Sequence, residues 1–367
     1  MRPKFCDKGL KLPNRVTGHQ RAAVEIVDRR TEPTEAGPPQ LLGPKLLLRL
    51  REAIDREEQA LLFLNRRGFA RRIHCPRCGF HLECPECDIA LTYHKRSDRS
   101  LCHYCGSIRS VPESCPDCAF PGVRRTLAGT ERIEETLAKL FPGLPIGRLD
   151  RDTATSAGRM EEILAKFRGG ETRILIGTQM IAKGHDIPGV TLVGVIDADV
   201  ALGLPDFRAA ERTAQILCQV AGRAGRGDRP GRVVIQTRQP EHYALQAAQL
   251  QDLELLRERE APLRKLLMYP PYGYLSRILC EDTSEQRSLQ TAEDLRKQLD
   301  QNRAGTVKVL GPAPAPLAKL RGRFRYHILL KARDRAALHR TASRVAWAKA
   351  RWSSTKVIVD IDPTSLM

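Results

Sequence analysis

Four Cys-x-x-Cys pairs crowd into one stretch of the chain, Cys75/Cys78, Cys84/Cys87, Cys102/Cys105 and Cys115/Cys118, and they use eight of its 11 cysteines. A turn of this kind aims two thiolates at one point, and tetrahedral zinc needs two such turns per ion. Four turns therefore predict two structural zinc sites, each held by four thiolates. Disulfides are the main rival reading, but a cytosolic chain of this size keeps its thiols reduced. Redox exchange is a poor rival, because four copies in one short insert exceed what that chemistry requires. The pairing favoured is nested, with Cys84, Cys87, Cys102 and Cys105 closing an inner site and Cys75, Cys78, Cys115 and Cys118 meeting across its base. A sequential pairing is also geometrically possible. Against it, only five residues separate Cys78 from Cys84, a short span for two turns that must face each other. His74, His81, His94 and His103 lie among the thiolates and read as solvated or packing side chains, since each ion already has four sulfurs.

Charge narrows the partner class. The 367 residues carry 61 Lys+Arg against 43 Asp+Glu, a formal charge of +18. An excess of that size favours a polyanion, most simply nucleic acid, bound through phosphate contacts and counterion release. Residues 1–20 show no apolar core of a signal peptide, and no run approaches membrane-spanning length. The expectation is a cytoplasmic protein with no membrane partner. Cys6, Cys218 and Cys280 have no partner at ligand spacing and read as small buried hydrophobes.

The order of apolar segments predicts an α/β domain with an insertion, followed by an α+β domain. Residues 1–40 read as an extended lead-in with one short strand at Val24–Val27. Leu42, Leu46, Leu47, Leu50 and Ile54 recur at helical spacing, and the apolar run Ala60–Leu64 suits a buried parallel strand. After the cysteines, short apolar strands alternate with helices: strands at Arg124–Ala128, Ile146–Leu149, Thr172–Ile176, Val190–Ile196 and Arg232–Gln236, and helices at Thr130–Leu140 (opened by a capping threonine), Gly158–Arg168 and Phe207–Val220. That alternation predicts a parallel sheet with right-handed crossovers. The predicted domains are 41–72 with 124–240, the zinc insertion 73–123, and a last domain over 241–367. The last domain opens with one helical stretch, Glu241–Lys265, and continues as strand–helix–strand–strand–helix–strand, with a Pro-rich Pro312–Pro316 and a basic segment Lys319–Arg325 between its second and third strands.

Two stretches of the α/β domain carry chemistry. Ile174–Asp186 is a strand that ends in Gly177-Thr178-Gln179 and is followed by Lys183, which places a flexible backbone and a hydroxyl at the carboxyl edge of the sheet, where α/β folds bind ligands. Gln219-Val-Ala-Gly-Arg-Ala-Gly-Arg226 ends a helix, and its Arg223 and Arg226, three apart beside glycines, have the spacing to bring two guanidiniums to one phosphate. In this order the two stretches resemble motifs V and VI of a superfamily 2 helicase, which belong to its second RecA-like lobe. With Phe63–Phe69, Gly129–Glu131, Asp150–Thr153, Asp206–Arg212, Asp360–Pro363 and the paired cysteines, the chain from about Leu12 to Pro363 resembles the primosomal protein N′ (PriA) family of replication-restart helicases.

The resemblance implies a RecA-like lobe 2 carrying a zinc module and a C-terminal α+β domain, from an ATP-dependent 3′→5′ DNA helicase that remodels forked DNA and recruits other primosome proteins. By motif position, Arg223 and Arg226 reach ATP phosphates held on lobe 1, Gln219 positions the γ-phosphate or the attacking water, and Gly177, Thr178, Gln179 and Lys183 couple DNA to ATP. Arg321, Arg323, Arg325 and Arg335 match the region that binds forked or single-stranded DNA and the single-stranded DNA-binding protein. A phosphate-binding loop needs Gly-Lys followed by Ser or Thr, and no Gly-Lys dipeptide or Asp-Glu pair occurs here. In the family both belong to lobe 1, ahead of the region this chain matches. The expectation is therefore two Zn²⁺ per chain, ATP and Mg²⁺ only with a complete lobe 1, and no ATP hydrolysis by this polypeptide alone. The alternative function is a non-enzymatic zinc-containing factor for DNA binding and primosome assembly.

Overall fold

The computed structural model describes residues 21–31, 41–64, 72–74, 82–85, 91–94, 99–101, 107–121, 124–126, 129–150, 153–154, 156–182, 187–204, 206–302, 305–347 and 354–366. Strand β1 (Ala23–Asp28) comes first, and α1 (Pro44–Asp55) follows, its proline in the first turn where a missing N–H costs nothing. Strand β2 (Gln59–Phe63) is buried at every position. Two short antiparallel sheets then carry the cysteine region: β3 (Arg72–His74) pairs with β7 (Arg124–Thr126), and β4 (Thr92–His94), β5 (Arg99–Leu101) and β6 (Ile108–Ser110) form a meander between them.

The α/β alternation resumes with α2 (Gly129–Leu140), β8 (Ile146–Leu149), α3 (Ala157–Arg168), β9 (Ile174–Gly177), α4 (Gln179–Ala182), β10 (Val190–Val195), α5 (Asp199–Leu202), α6 (Ala209–Ala221) and β11 (Arg232–Thr237). Among the described residues the main sheet has six strands in the order β1-β11-β10-β2-β9-β8, all parallel. Its two faces bury separate clusters. Leu46, Leu50, Ile133 and Leu137 of α1 and α2 cover one; Leu164, Phe167, Ile181, Leu217 and Val220 of α3, α4 and α6 cover the other.

Three local expectations change here. The strand within the lead-in is a full edge strand, paired with β11 over its whole length. The strand after the cysteines stays out of the main sheet and closes the neck with β3 instead, so the insert enters and leaves through one antiparallel pair. Thr130 does not cap α2: the helix starts at Gly129, and the Thr130 hydroxyl donates to Asp150 Oδ2 at 2.8 Å.

The predicted helix 241–265 is two helices, α7 (Tyr243–Leu250) and α8 (Leu253–Leu266). Gln251 takes a left-handed φ of 50°, and the Asp252 carboxylate accepts the Glu254 N–H, so one helix stops and the next is capped within two residues. The last domain holds β12 (Tyr274–Asp282), α9 (Glu285–Asn302), β13 (Val307–Leu320), β14 (Arg323–Ala332), α10 (Arg335–Trp347) and β15 (Lys356–Ile361). Its antiparallel sheet runs β13-β14-β12-β15, the ferredoxin-like order, with α9 and α10 packed over Ile278, Cys280, Ile328 and Leu330.

Candidate functional site

Both motif helices lie on one face of the main sheet, Ile181 of α4 beside Leu217, Val220 and Ala221 of α6 in a single buried cluster. Gly177 ends β9, and a Cβ there would stand 2.8 Å from the Leu149 carbonyl oxygen, so only glycine lets β8 and β9 finish side by side. Its carbonyl accepts the Leu64 N–H at 2.9 Å. Thr178 and Gln179 follow, both half-buried, as α4 begins. Lys183 lies outside the described residues.

The second motif approaches the same face from the opposite end of the strands. The Gly225 N–H donates to the carbonyl of Val190, the first residue of β10. Gly225 holds a φ of +71°, and a Cβ on Gly231 would meet Ala224 and Gly225 backbone atoms at 2.5 Å. Two glycines are thus needed to press the loop after α6 flat against the start of β11. Gln219 is exposed near the end of α6, while Arg223 is only 9% exposed. Arg226 folds back on the helix end, its Nε–H donating to the Gly222 carbonyl at 2.9 Å. That bond fixes the direction in which the guanidinium leaves the loop.

In the insert, Cys84, Cys115 and Cys118 are among the described residues; Cys75, Cys78, Cys87, Cys102 and Cys105 lie outside them. Cys115-Pro-Asp-Cys118 is one tight turn. The Ala119 N–H returns to the Cys115 carbonyl at 2.9 Å, the Cys115 N–H donates to the Phe120 carbonyl at 2.9 Å, and Ala119 takes a left-handed φ of 54°. Cys84 and Cys115 are 1% and 2% exposed. Thiolates on closed turns are the donor set that soft-ligand zinc sites use, so these residues fit the ion. In sequence, Cys75 comes directly after β3 and Cys118 lies six positions before β7. Cys84 packs with Leu82 and Leu91, and the Leu91 N–H donates to the Leu82 carbonyl at 2.9 Å.

The four candidate arginines of the last domain separate. Arg321 and Arg323 are exposed on either side of Gly322, at the tip of the β13–β14 hairpin. Arg325 is interior, its Nε 3.1 Å from Glu281 Oε1 and one amine donating to the Leu317 carbonyl at 3.2 Å. Arg335 is exposed and 3.7 Å from Asp362. Next to Arg325 and Arg277, burial and then those two charges push His327 below its usual value.

A junction around Asp206 and Tyr269 joins this domain to the lobe. Asp206, just ahead of α6, accepts the Ser365 hydroxyl at 2.7 Å, an Arg212 amine at 3.0 Å and the Leu366 N–H at 3.4 Å. Phe207 stacks on Tyr269 at 5.0 Å, and the Lys331 ammonium lies 3.4 Å from the Tyr269 ring centroid while donating to the Leu267 carbonyl. Burial, then Lys308, pushes Lys331 down to about 8. In the sequence, Tyr269–Tyr274 reads as a domain junction and Asp206–Arg212 as a charged segment, with nothing to pair the two.

Comparison with known proteins assigns each part. Residues 84–109 match the PriA DNA helicase Cys-rich region domain, 124–228 the helicase conserved C-terminal domain, and 265–364 the primosomal protein N C-terminal domain. The replication restart protein PriA of Bacillus subtilis is 39% identical over 361 residues, 98% of this chain and 45% of that protein. Those of Treponema pallidum and Synechocystis are 38% and 37% identical, over 98% and 97% of this chain and 53% and 43% of theirs. The chain belongs to the PriA family. It corresponds to the family's C-terminal portion and spans about half the length of the curated relatives it matches. The PriA-type cysteine-rich region makes it a zinc-binding chain.

Proposed function

We propose that this chain is the DNA-contacting, nucleotide-responsive half of a replication-restart helicase. One observation carries the reading: the Gly177–Gln179 and Gln219–Arg226 segments share a single sheet face, and the cysteine insert leaves the same sheet on a two-stranded neck. In a complete cleft, Arg223 and Arg226 stabilise charge on nucleotide phosphates, and Gln219 orients the attacking group. ATP with Mg²⁺, when bound there, supplies the driving free energy. Gly177, Thr178 and Gln179 sit at the strand end where DNA contact and nucleotide state are coupled, and Lys183, four residues further along the sequence, shares that role. This work is cytoplasmic, on forked or single-stranded DNA, with the single-stranded DNA-binding protein and other primosome proteins as partners. Among the described residues no helix is long and apolar enough to cross a membrane.

The zinc reading extends to two ions in the nested arrangement, an outer site at the neck from Cys75, Cys78, Cys115 and Cys118 and an inner one from Cys84, Cys87, Cys102 and Cys105. The boundaries 41–72 with 124–240, 73–123 and 241–367 are proposed as the working modules, with β1 added to the first.

Fluorescence anisotropy with forked DNA tests the nucleic-acid reading. With several phosphate contacts, affinity falls steeply between 50 and 200 mM salt, and Arg323→Ala lowers the log–log slope by about one. Binding that ignores salt would overturn it. For zinc, the expected result is a metal content of two per chain, falling to one in Cys84→Ser and in Cys115→Ser.

A further inference from the structure

The β13–β14 hairpin is an arm that reaches from the last domain into the cysteine insert. Its two central residues, Arg321 and Gly322, have φ of +51° and +71°, as a two-residue type I′ turn demands. Just before the turn, the Lys319 ammonium donates to the Pro85 carbonyl at 2.6 Å. Pro85 follows Cys84 directly, so the bond grips the backbone of a ligand-bearing turn. Lys319 is itself held over the Phe324 ring at 4.7 Å, its cross-strand partner. Leu320 packs with Leu82 against the buried pair Cys84 and Leu91, a miniature core to which the arm contributes one of four members.

A small metal module has little apolar area of its own, and its fold and its metal affinity are one free energy. Anything that orders the Cys84 turn therefore slows loss of the ion, and the ion in turn orders whatever rests on that turn. We infer that Lys319 and Leu320 are positioning residues for the inner zinc site, and that zinc occupancy there fixes the hairpin tip with Arg321 and Arg323 on it. The inference rests on the zinc reading of Cys84. It gives that ion a role beyond the insert, because it orients two exposed arginines of another domain.

The test is zinc release from the full chain into a colorimetric chelator, together with amide exchange before and after metal removal. With two ions, release is biphasic. Lys319→Met speeds one phase about fivefold, the worth of one exchanged hydrogen bond. Leu320→Ser speeds the same phase at least about tenfold through the lost burial. Lys297→Met, an exposed change on α9, leaves both phases as they were. In the unaltered chain, metal removal accelerates exchange over residues 317–324 and leaves β12 protected. Full zinc content with unaltered release in both arm variants overturns the coupling alone. Purified chain that never holds zinc overturns the zinc reading, and this inference with it.

Discussion

Removing the Asp206 carboxylate should detach the C-terminal tail from the lobe. The side chain is 1% exposed and serves four donors: the Arg208 N–H at 2.9 Å, an Arg212 amine at 3.0 Å, the Ser365 hydroxyl at 2.7 Å and the Leu366 N–H at 3.4 Å. Alanine would leave those donors facing a small void. Arg212 keeps its contact with the Thr364 carbonyl and, being 44% exposed, also turns to water at low cost. Hydrogen bonds to a charged acceptor contribute about 1.5–3 kcal/mol each where buried. Counting the two short neutral donors fully and the rest as partly replaced by water gives a loss of about 3 kcal/mol in the tail's closed state.

A chain of several domains does not unfold in one step, so a single melting temperature does not isolate a local latch such as this one. Amide exchange is the right one. About 3 kcal/mol raises the open fraction of a local unit by about 10²-fold, so exchange over residues 362–366 and at the Tyr269 junction should accelerate by that factor in Asp206→Ala. Strand β12 and the main sheet should keep their protection. A double-mutant cycle with Ser365→Ala should return about 1 kcal/mol of coupling. Burial raises the Asp206 value, yet Ser365, the Arg208 and Leu366 N–H groups and Arg212 outweigh it and the net shift is downward. The latch is thus fully present above the ordinary aspartate range near 3.8 and fails as pH drops through the lower folded value. Tail exchange within twofold of the unaltered chain would refute the reasoning.

Gly231→Ala should destabilise the lobe by about 1–3 kcal/mol, because its Cβ meets backbone at 2.5 Å, whereas Gly158→Ala, with nothing within 4 Å, should cost nothing; urea titrations of the two compare them. Lys331 has a folded value of about 8 against 10.5, so it binds its proton less readily when folded. The unaltered chain should therefore gain stability relative to Lys331→Met as pH rises from 8 to 10.5, seen in paired denaturation series. In the last domain Asp282 falls to about 2: burial opposes this, but Arg287, the Ser284 N–H and Thr355 overcome it. Its contribution is complete above about 4 and lost towards 2, and Asp282→Asn should flatten the acid limb of stability across that window.

The main sheet was legible because strands buried on both faces read as unbroken apolar runs. Gln59–Phe63 and Ile174–Gly177 announce themselves in that way, and Leu46, Leu50 and Ile54 mark the helix that covers them. The neck was not legible, since Arg124–Thr126 looks like any short strand and only its partner, Arg72–His74, decides which sheet it joins. The Pro-rich 312–316 read as a break, yet it lies within β13. That strand is at the sheet edge, and prolines at 312, 314 and 316 put every missing N–H on one side of it, which an edge strand tolerates. By the family resemblance Arg325 read as one of four arginines that contact DNA or a partner, yet it is interior. Its partner Glu281 is 44 residues away on β12, a pairing that only the tertiary fold creates. The two motifs were legible as residue patterns, but their approach from opposite strand ends was not.

Two of the ties between modules start on the last domain. The hairpin arm holds the insert at Pro85, and the tail holds Asp206 at the start of α6. Helix α6 has 13 residues, so it is a rod of roughly 20 Å at 1.5 Å per residue. Its far end carries Gln219, Arg223 and Arg226. Thr213, Leu217 and Val220 bury one side of this rod against its neighbours, and the Gly225 N–H ties the loop after it to Val190. The domain that presents Arg321 and Arg323 is therefore joined to the insert at Pro85 and, at Asp206, to the helix that leads into Arg223 and Arg226. The junction at Asp206 is thus where the last domain meets the helix that leads into Arg226.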